Sequence, residues 1–149
     1  MNNLKSTKTL SKSDSWRMFD DISPRYDFLN HLISFGMHLS FRDKMAEYLP
    51  LKQSLKLLDL ATGTAEVLIR LFKKSPSVQS ACGIDLSDKM MDIGRKKIAS
   101  LGWQERITLH HGDAHQIPFN DRAFDTVTIA FGIRNMENPG HVCTGMLRV

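Results

Sequence analysis

The stretch Leu57-Leu58-Asp59-Leu60-Ala61-Thr62-Gly63-Thr64-Ala65-Glu66-Val67 decides how the rest of the 149-residue chain is read. Leu55, Leu57, Leu58 and Leu60 form a short apolar run of the kind found in a strand covered on both faces, and Ala61 to Ala65 brings only small side chains to the turn that follows. A ligand can therefore come close to the backbone there. From Thr64 onward Val67, Leu68, Leu71 and Phe72 recur at helical spacing, so the free N–H groups of a helix start should face whatever the turn holds.

The glycines narrow the choice of ligand. A dinucleotide fold places three of them as G-x-G-x-x-G, so that the backbone reaches a pyrophosphate and the helix packs close to the strand. Here Gly63 stands without the other two. Acidic residues frame the turn instead. Asp59 precedes it, and Asp85 closes the next apolar run, Ser80 to Ile84, where a ribose hydroxyl is usually held. A third, Asp113, follows a strand expected over Arg106 to His110. Three carboxylates just past three strand ends suit a nucleoside carrying positive charge, because ligands of open α/β sheets bind outside the carboxyl ends of the strands.

With these residues in view, the chain resembles the class I methyltransferases that use S-adenosylmethionine. Within them, Phe19-Asp20, Tyr26-Asp27, Asn30, Ser34 to His38, Asp59 to Thr64 and Phe131-Gly132-Ile133-Arg134-Asn135 are similar to the C-methyltransferases of menaquinone and ubiquinone biosynthesis, in order from about Trp16 to Val149. The resemblance implies S-adenosylmethionine as cofactor, with contacts at Asp59, Gly63, Thr64, Asp85, Asp113, Ala114 and Ala130. It also implies a prenylated quinol as acceptor, demethylmenaquinol above others. Tyr26, Arg134 and Asn135 would then lie at the acceptor cavity, Arg134 stabilising a developing phenolate while the other two orient it. The family usually has Gly-Asp where this chain has Ala65-Glu66. If position 65 needs φ > 0, the alanine methyl costs about 1–2 kcal/mol.

Composition bounds the alternatives. With 42% hydrophobic and 24% charged residues the chain reads as a globular protein. A net charge of +4 is compatible with a mildly basic cytoplasmic enzyme or with peripheral contact at an anionic membrane face. No block of basic residues interleaved with aromatics points to nucleic acid. Cys82 and Cys143 lack a partner motif, no metal-ligand spacing occurs, and neither a signal peptide nor a membrane-spanning run is present. A hydrolase would need a nucleophile elbow, which is absent.

Along the chain, residues 1–14 read as a flexible polar leader and 15–149 as a single domain. In it, 15–50 form a helical cap with Phe28, Leu29, Leu32, Ile33 and Phe35, then Leu39, Phe41, Met45, Tyr48 and Leu49; 51–149 form the cofactor-binding half. Further expectations are a helix capped by Ser87 with Met91, Gly94, Ile98 and Leu101 buried and Arg95, Lys96 and Lys97 solvated. Gly102 should close it. His110, His111 and His115 read as exposed loop residues, whereas the resemblance leaves His38 open to a substrate role. A strand from Phe124 to Ala130, with Val127, Ile129 and Phe131 on one face, and a helix begun by Asn138-Pro139 complete the pattern.

Alternating strands and helices call for a Rossmann-like α/β fold with a parallel sheet. Only four strands are expected, and the resembled family continues into further strands. The chain thus reads as truncated at its C-terminus, with strand four as an unpaired edge that favours homo-oligomers or aggregation and leaves activity low. Competing readings are a methyltransferase for another small apolar acceptor, a dinucleotide oxidoreductase, and a non-catalytic relative that acts as a partner subunit.

Overall fold

The computed structural model describes residues 15–23 and 37–149. Two helices come first, α1 (Ser15–Ile22) and α2 (Met37–Glu47), followed by β1 (Leu55–Leu60), α3 (Glu66–Lys74), β2 (Val78–Asp85), α4 (Asp88–Ser100), β3 (Ile107–His111), β4 (Thr126–Ile129), a single 3-10 turn over Ile133–Asn135, and α5 (Pro139–Arg148). The four strands form one sheet in the order β3-β2-β1-β4, and every pairing is parallel. The chain steps outward from β1 through β2 to β3 and then returns to place β4 on the other side of β1. That reversal is a topological switch point, where adjacent connections part and leave a crevice at the strand ends.

Period-two alternation splits the core into two layers. Leu55 and Leu57 turn to one face, where they meet Val67, Leu68, Leu71 and Phe72 of α3 and Met91 and Ile98 of α4. Leu58 and Leu60 turn to the other, against Ile84, Ile117 and Val142 of α5. Helix α4 approaches the turn after β1 through Gly94: a Cβ there would stand 3.1 Å from the Ala65 methyl and 2.9 Å from a Leu109 methyl. Ser87 caps α4 by accepting from the Met90 N–H at 3.2 Å, and its own hydroxyl donates to Asp20 of α1, which ties that helix to the strand-end side of the sheet. Gly102, at φ 71°, ends α4 as expected, and Asn138 caps α5 by accepting from the His141 N–H.

Several expectations need correction. Helix α3 begins at Glu66 and not at Thr64, because Ala65 is left-handed and serves as its N-cap. Leu101 is 43% exposed, and the buried position is Met90 instead. Lys97 is not simply solvated: its ammonium pairs with Glu66, and Arg95 reaches the Leu109 carbonyl as well as Asp92. On α2 the half-buried Met45 and, just beyond the helix, Leu49 face the core, whereas Phe41 and Tyr48 are exposed. Strand β4 stops at Ile129, so Phe131 does not continue the alternation of Val127 and Ile129; its backbone is left-handed at φ 60° and its ring meets Phe41 at 5.8 Å. Phe28, Leu29, Leu32, Ile33 and Phe35 of the expected cap, and residues 1–14, lie outside the described residues. Among the described residues no helix is long and apolar enough to cross a membrane.

Candidate functional site

The connection from β1 to α3 alternates in handedness, with Ala61, Gly63 and Ala65 all at φ between 51° and 61°. Only the middle one is glycine. Each alanine in this region costs about 1–2 kcal/mol relative to a right-handed conformation, so the surrounding contacts must hold the turn in place. The Thr62 N–H donates to the Ile84 carbonyl at 3.1 Å, and the Ala65 N–H donates to the Thr62 carbonyl at 2.9 Å. On the far side Gly132 presses against the turn so closely that a Cβ would fall 2.5 Å from the Ala61 methyl.

Asp85 secures the centre of the turn. Its Oδ2 accepts from the Gly63 N–H and its Oδ1 from the Ser87 N–H, each at 2.8 Å. Burial pushes its pKa up, and these backbone donors oppose the rise. Asp59 is 1% exposed, and burial raises its pKa to about 6 against the pull of the Thr128 and Thr62 hydroxyls; the Asp85 charge adds to the rise and Arg42 opposes it. The Thr128 hydroxyl donates to Asp59 Oδ1 at 2.7 Å across the β1/β4 register that pairs these two residues.

These groups open on a cavity of about 390 Å³, within the usual span of small-molecule sites of about 300–1,000 Å³. Asp59, Gly63, Thr64, Asp85, Asp113, Ala114, Ala130, Arg134 and Asn135 all line it. Tyr26 lies outside the described residues, as does the side chain of His38. Asp113 is partly exposed, and its Oδ1 accepts from the His115 N–H and meets the His115 ring Nδ1, both at 2.9 Å. His115 is accordingly no exposed loop residue: its buried Nε2 has no hydrogen-bond partner among the described residues, and the ring borders the cavity. His110 and His111 are exposed, but they end β3 and do not belong to a loop.

Sequence reasoning missed Arg42, Glu66, Met90, His115 and Phe131 as cavity residues. For Arg42 a signal existed. It precedes Met45 and Leu49 by three and seven residues, which puts a guanidinium on the buried stripe of α2. It is 5% exposed and donates to Glu66 at 3.3 Å, and the same helix is fixed to α3 by Asp43, which pairs with Arg70 and, at 3.5 Å, with Lys74.

Five carboxylates (Asp59, Glu66, Asp85, Asp113, Glu137) and two guanidiniums (Arg42, Arg134) line the cavity. Such a wall favours a cation. With small residues where a ligand meets the backbone and acids at the ends of β1, β2 and β3, the donor set fits an adenosine derivative carrying a positive sulfur. It does not offer the glycine-rich approach that a pyrophosphate needs.

The ubiquinone/menaquinone biosynthesis C-methyltransferase UbiE of Geotalea daltonii is 40% identical over 132 residues, 89% of this chain and 56% of the relative. The demethylmenaquinone methyltransferase of Staphylococcus aureus strain MRSA252 is 40% identical over 128 residues, 86% of this chain and 52% of the relative. The chain spans about half the length of the curated relatives it matches. Among solved structures, a methyltransferase-type protein from Bacillus halodurans aligns with a TM-score of 0.66 at 29% identity, covering 74% of this chain and 46% of that one. The [4+2]-cyclase SpnF shares the fold at a TM-score of 0.79 and 21% identity, over 94% of this chain and 56% of that one. Residues 3–149 match one family throughout, and the chain belongs to the ubiE/COQ5 methyltransferase family.

Proposed function

We propose that this chain carries the cofactor site of an S-adenosylmethionine-dependent C-methyltransferase whose acceptor is a prenylated quinol of the demethylmenaquinol type. One observation carries the reading: Asp59 and Asp85 at the ends of β1 and β2 and Asp113 just after β3 all line the cavity beside the small-residue turn after β1. Relatives of about 40% identity that bear quinone C-methyltransferase names support the acceptor class.

S-adenosylmethionine, when bound, supplies a methyl group already activated on its sulfonium, so what is asked of the protein is orientation and exclusion of water. In this reading Asp85 takes the ribose hydroxyls on the lone pairs left free by Gly63 and Ser87, and Asp113 with Ala114 borders the adenine. Asp59, Gly63, Thr64 and Ala130 shape the passage to the reacting centre. Arg134 stabilises the phenolate that makes a ring carbon of the quinol nucleophilic, and Asn135 and Tyr26 orient the ring. An isoprenoid tail lives in a bilayer, and the exposed Phe41 and Phe131 beside the cavity fit peripheral contact with a membrane face.

Transfer of labelled methyl from S-adenosylmethionine to demethylmenaquinol in detergent tests the proposal. Arg134→Ala should lower kcat on the order of 100-fold while the affinity for S-adenosylhomocysteine stays within about twofold. An equal loss in both would remove Arg134 from the acceptor side.

A further inference from the structure

We propose that the ring of Phe131, braced by Phe41 of α2, is the platform on which the aromatic nucleus of the acceptor lies, a role that builds on the acceptor class proposed above. The backbone singles this residue out. Phe131 has φ 60°, and across it the Gly132 N–H donates to the Ala130 carbonyl at 2.7 Å. A hydrogen bond that spans two residues with a positive φ between them makes the strained form of γ-turn. For a bulky side chain such a conformation is an outlier, and burial does not offset it, because the ring stays 39% exposed. Strain of this kind gathers where the placement of one side chain serves a ligand.

The turn decides where the ring goes. A strand that ran on past Ile129 would send residue 131 to the face of Val127 and Ile129, against the layer of Ile117 and Val142. Instead the ring stands in the cavity wall, 5.8 Å from the Phe41 ring and tilted to it by 58°. Two anchors hold the pair: Gly132 lies against the Ala61 methyl, and α2 is fixed to α3 through Asp43 and Arg70. Rings at that spacing are in contact and leave no slot between them, so a ligand meets the cavity side of Phe131, and Phe41 is a positioning residue. The lining also sorts its occupants. Asp59, Asp85 and Asp113 stand at the ends of β1, β2 and β3, whereas Ala130, Phe131 and Met136 bring an apolar stretch after β4 with Arg134 among them. A cationic nucleoside is drawn to the acids. An uncharged aromatic ring whose hydroxyl ionises suits the other side, with its plane on Phe131 and its oxygen at Arg134, three residues further along.

Equilibrium dialysis under nitrogen tests this with two ligands on each variant: 2-prenyl-1,4-naphthalenediol in the presence of saturating S-adenosylhomocysteine, and S-adenosylhomocysteine alone. In Phe131→Ala the affinity for the quinol should fall about tenfold or more, while that for S-adenosylhomocysteine stays within about twofold. Phe131→Leu, which keeps apolar bulk without the ring, should lose about threefold and serves if the alanine variant fails to fold. Phe131→Tyr should bind as the wild type does, and Phe41→Ala should fall between wild type and Phe131→Ala. Phe131→Gly relieves the turn, so it should melt above Phe131→Ala and still lose the quinol to the same extent. Unchanged quinol affinity in Phe131→Ala and Phe131→Leu, or a loss that S-adenosylhomocysteine shares equally, would overturn the inference. If binding to phosphatidylglycerol vesicles falls in place of quinol affinity, the two rings are a membrane contact and the inference fails. A wild-type chain that binds S-adenosylhomocysteine and no quinol overturns the acceptor reading together with this inference and leaves the cofactor reading standing; one that binds neither overturns all three.

Discussion

Strands β1 and β4 lie side by side in the sheet, yet they hold the site by different means. Five of the six residues of β1 are buried, Lys56 excepted, whereas all four of β4 are only half-buried. The β1 side fixes its functional groups through backbone: Asp85 accepts from two N–H groups, and the turn closes on the Ile84 and Thr62 carbonyls. The β4 side works through side chains, with Thr128 on Asp59 and Phe131 on Phe41. Backbone contacts specify a position closely, and side-chain contacts leave more freedom. In the function proposed above, the nucleoside lies on the side fixed by backbone acceptors and the acceptor on the side fixed by side chains.

Truncation in the two strands tests this contrast most strongly. Leu58→Ala should lower stability by about 2–5 kcal/mol, since its side chain is fully enclosed, and Val127→Ala on the paired position should cost about 1 kcal/mol or less. Urea melts of both variants measure the difference. Comparable losses would mean that β4 is as firmly packed as β1.

The Asp59–Thr128 contact, which joins the two strands, makes a pH signature. With a folded pKa of about 6 against an ordinary 3.8, the folded state holds the proton more tightly, so stability falls as pH rises from about 4 to about 6. The full effect is up to about 3 kcal/mol at roughly 1.4 kcal/mol per pKa unit. Asp59→Asn should flatten that part of the profile when melting temperatures of the two proteins are compared across pH. A slope shared by both would place the titration elsewhere.

Much of the β1 side was legible in the sequence, because buried strands and tight turns are written in local residue types. The apolar run gave β1 its bounds, and Asp59, Asp85 and Asp113 were recognisable at strand ends. The left-handed pair Ala61 and Ala65 was only half visible. An alanine carries no mark of φ > 0, and position 65 was suspected only through the glycine of the resembled family. That Asp85 is bound to its own turn was invisible, since a carboxylate held by Gly63 and Ser87 and one facing only a ligand have the same spacing. On the β4 side, Phe131 kept the period of a strand that had already stopped; Arg42 is marked by the buried stripe of α2, but its place at the cavity depends on the packing of α2 against α3, which no local pattern records.

Two smaller effects sharpen the comparison on the turn itself. Asp85→Ala should weaken S-adenosylhomocysteine binding by about 1.5–3 kcal/mol and lower the melting temperature too, as Gly63 and Ser87 lose their acceptor. Asp85→Asn, which keeps one oxygen, should lose less on both counts. Ala65→Gly relieves the left-handed strain but gives up a fully buried methyl worth about 0.8 kcal/mol, so a net gain in stability under about 1 kcal/mol is expected. A loss in paired thermal melts would show that the alanine is favoured where it stands.

The central claim is that the turn between β1 and α3 holds a charged nucleoside and not a dinucleotide. Calorimetric titration of the wild-type chain with S-adenosylhomocysteine and, separately, with NAD tests it most directly. One-to-one binding of S-adenosylhomocysteine, weakened at least tenfold by Asp85→Ala, with no heat from NAD, is the expected result. Binding of NAD without S-adenosylhomocysteine would contradict it.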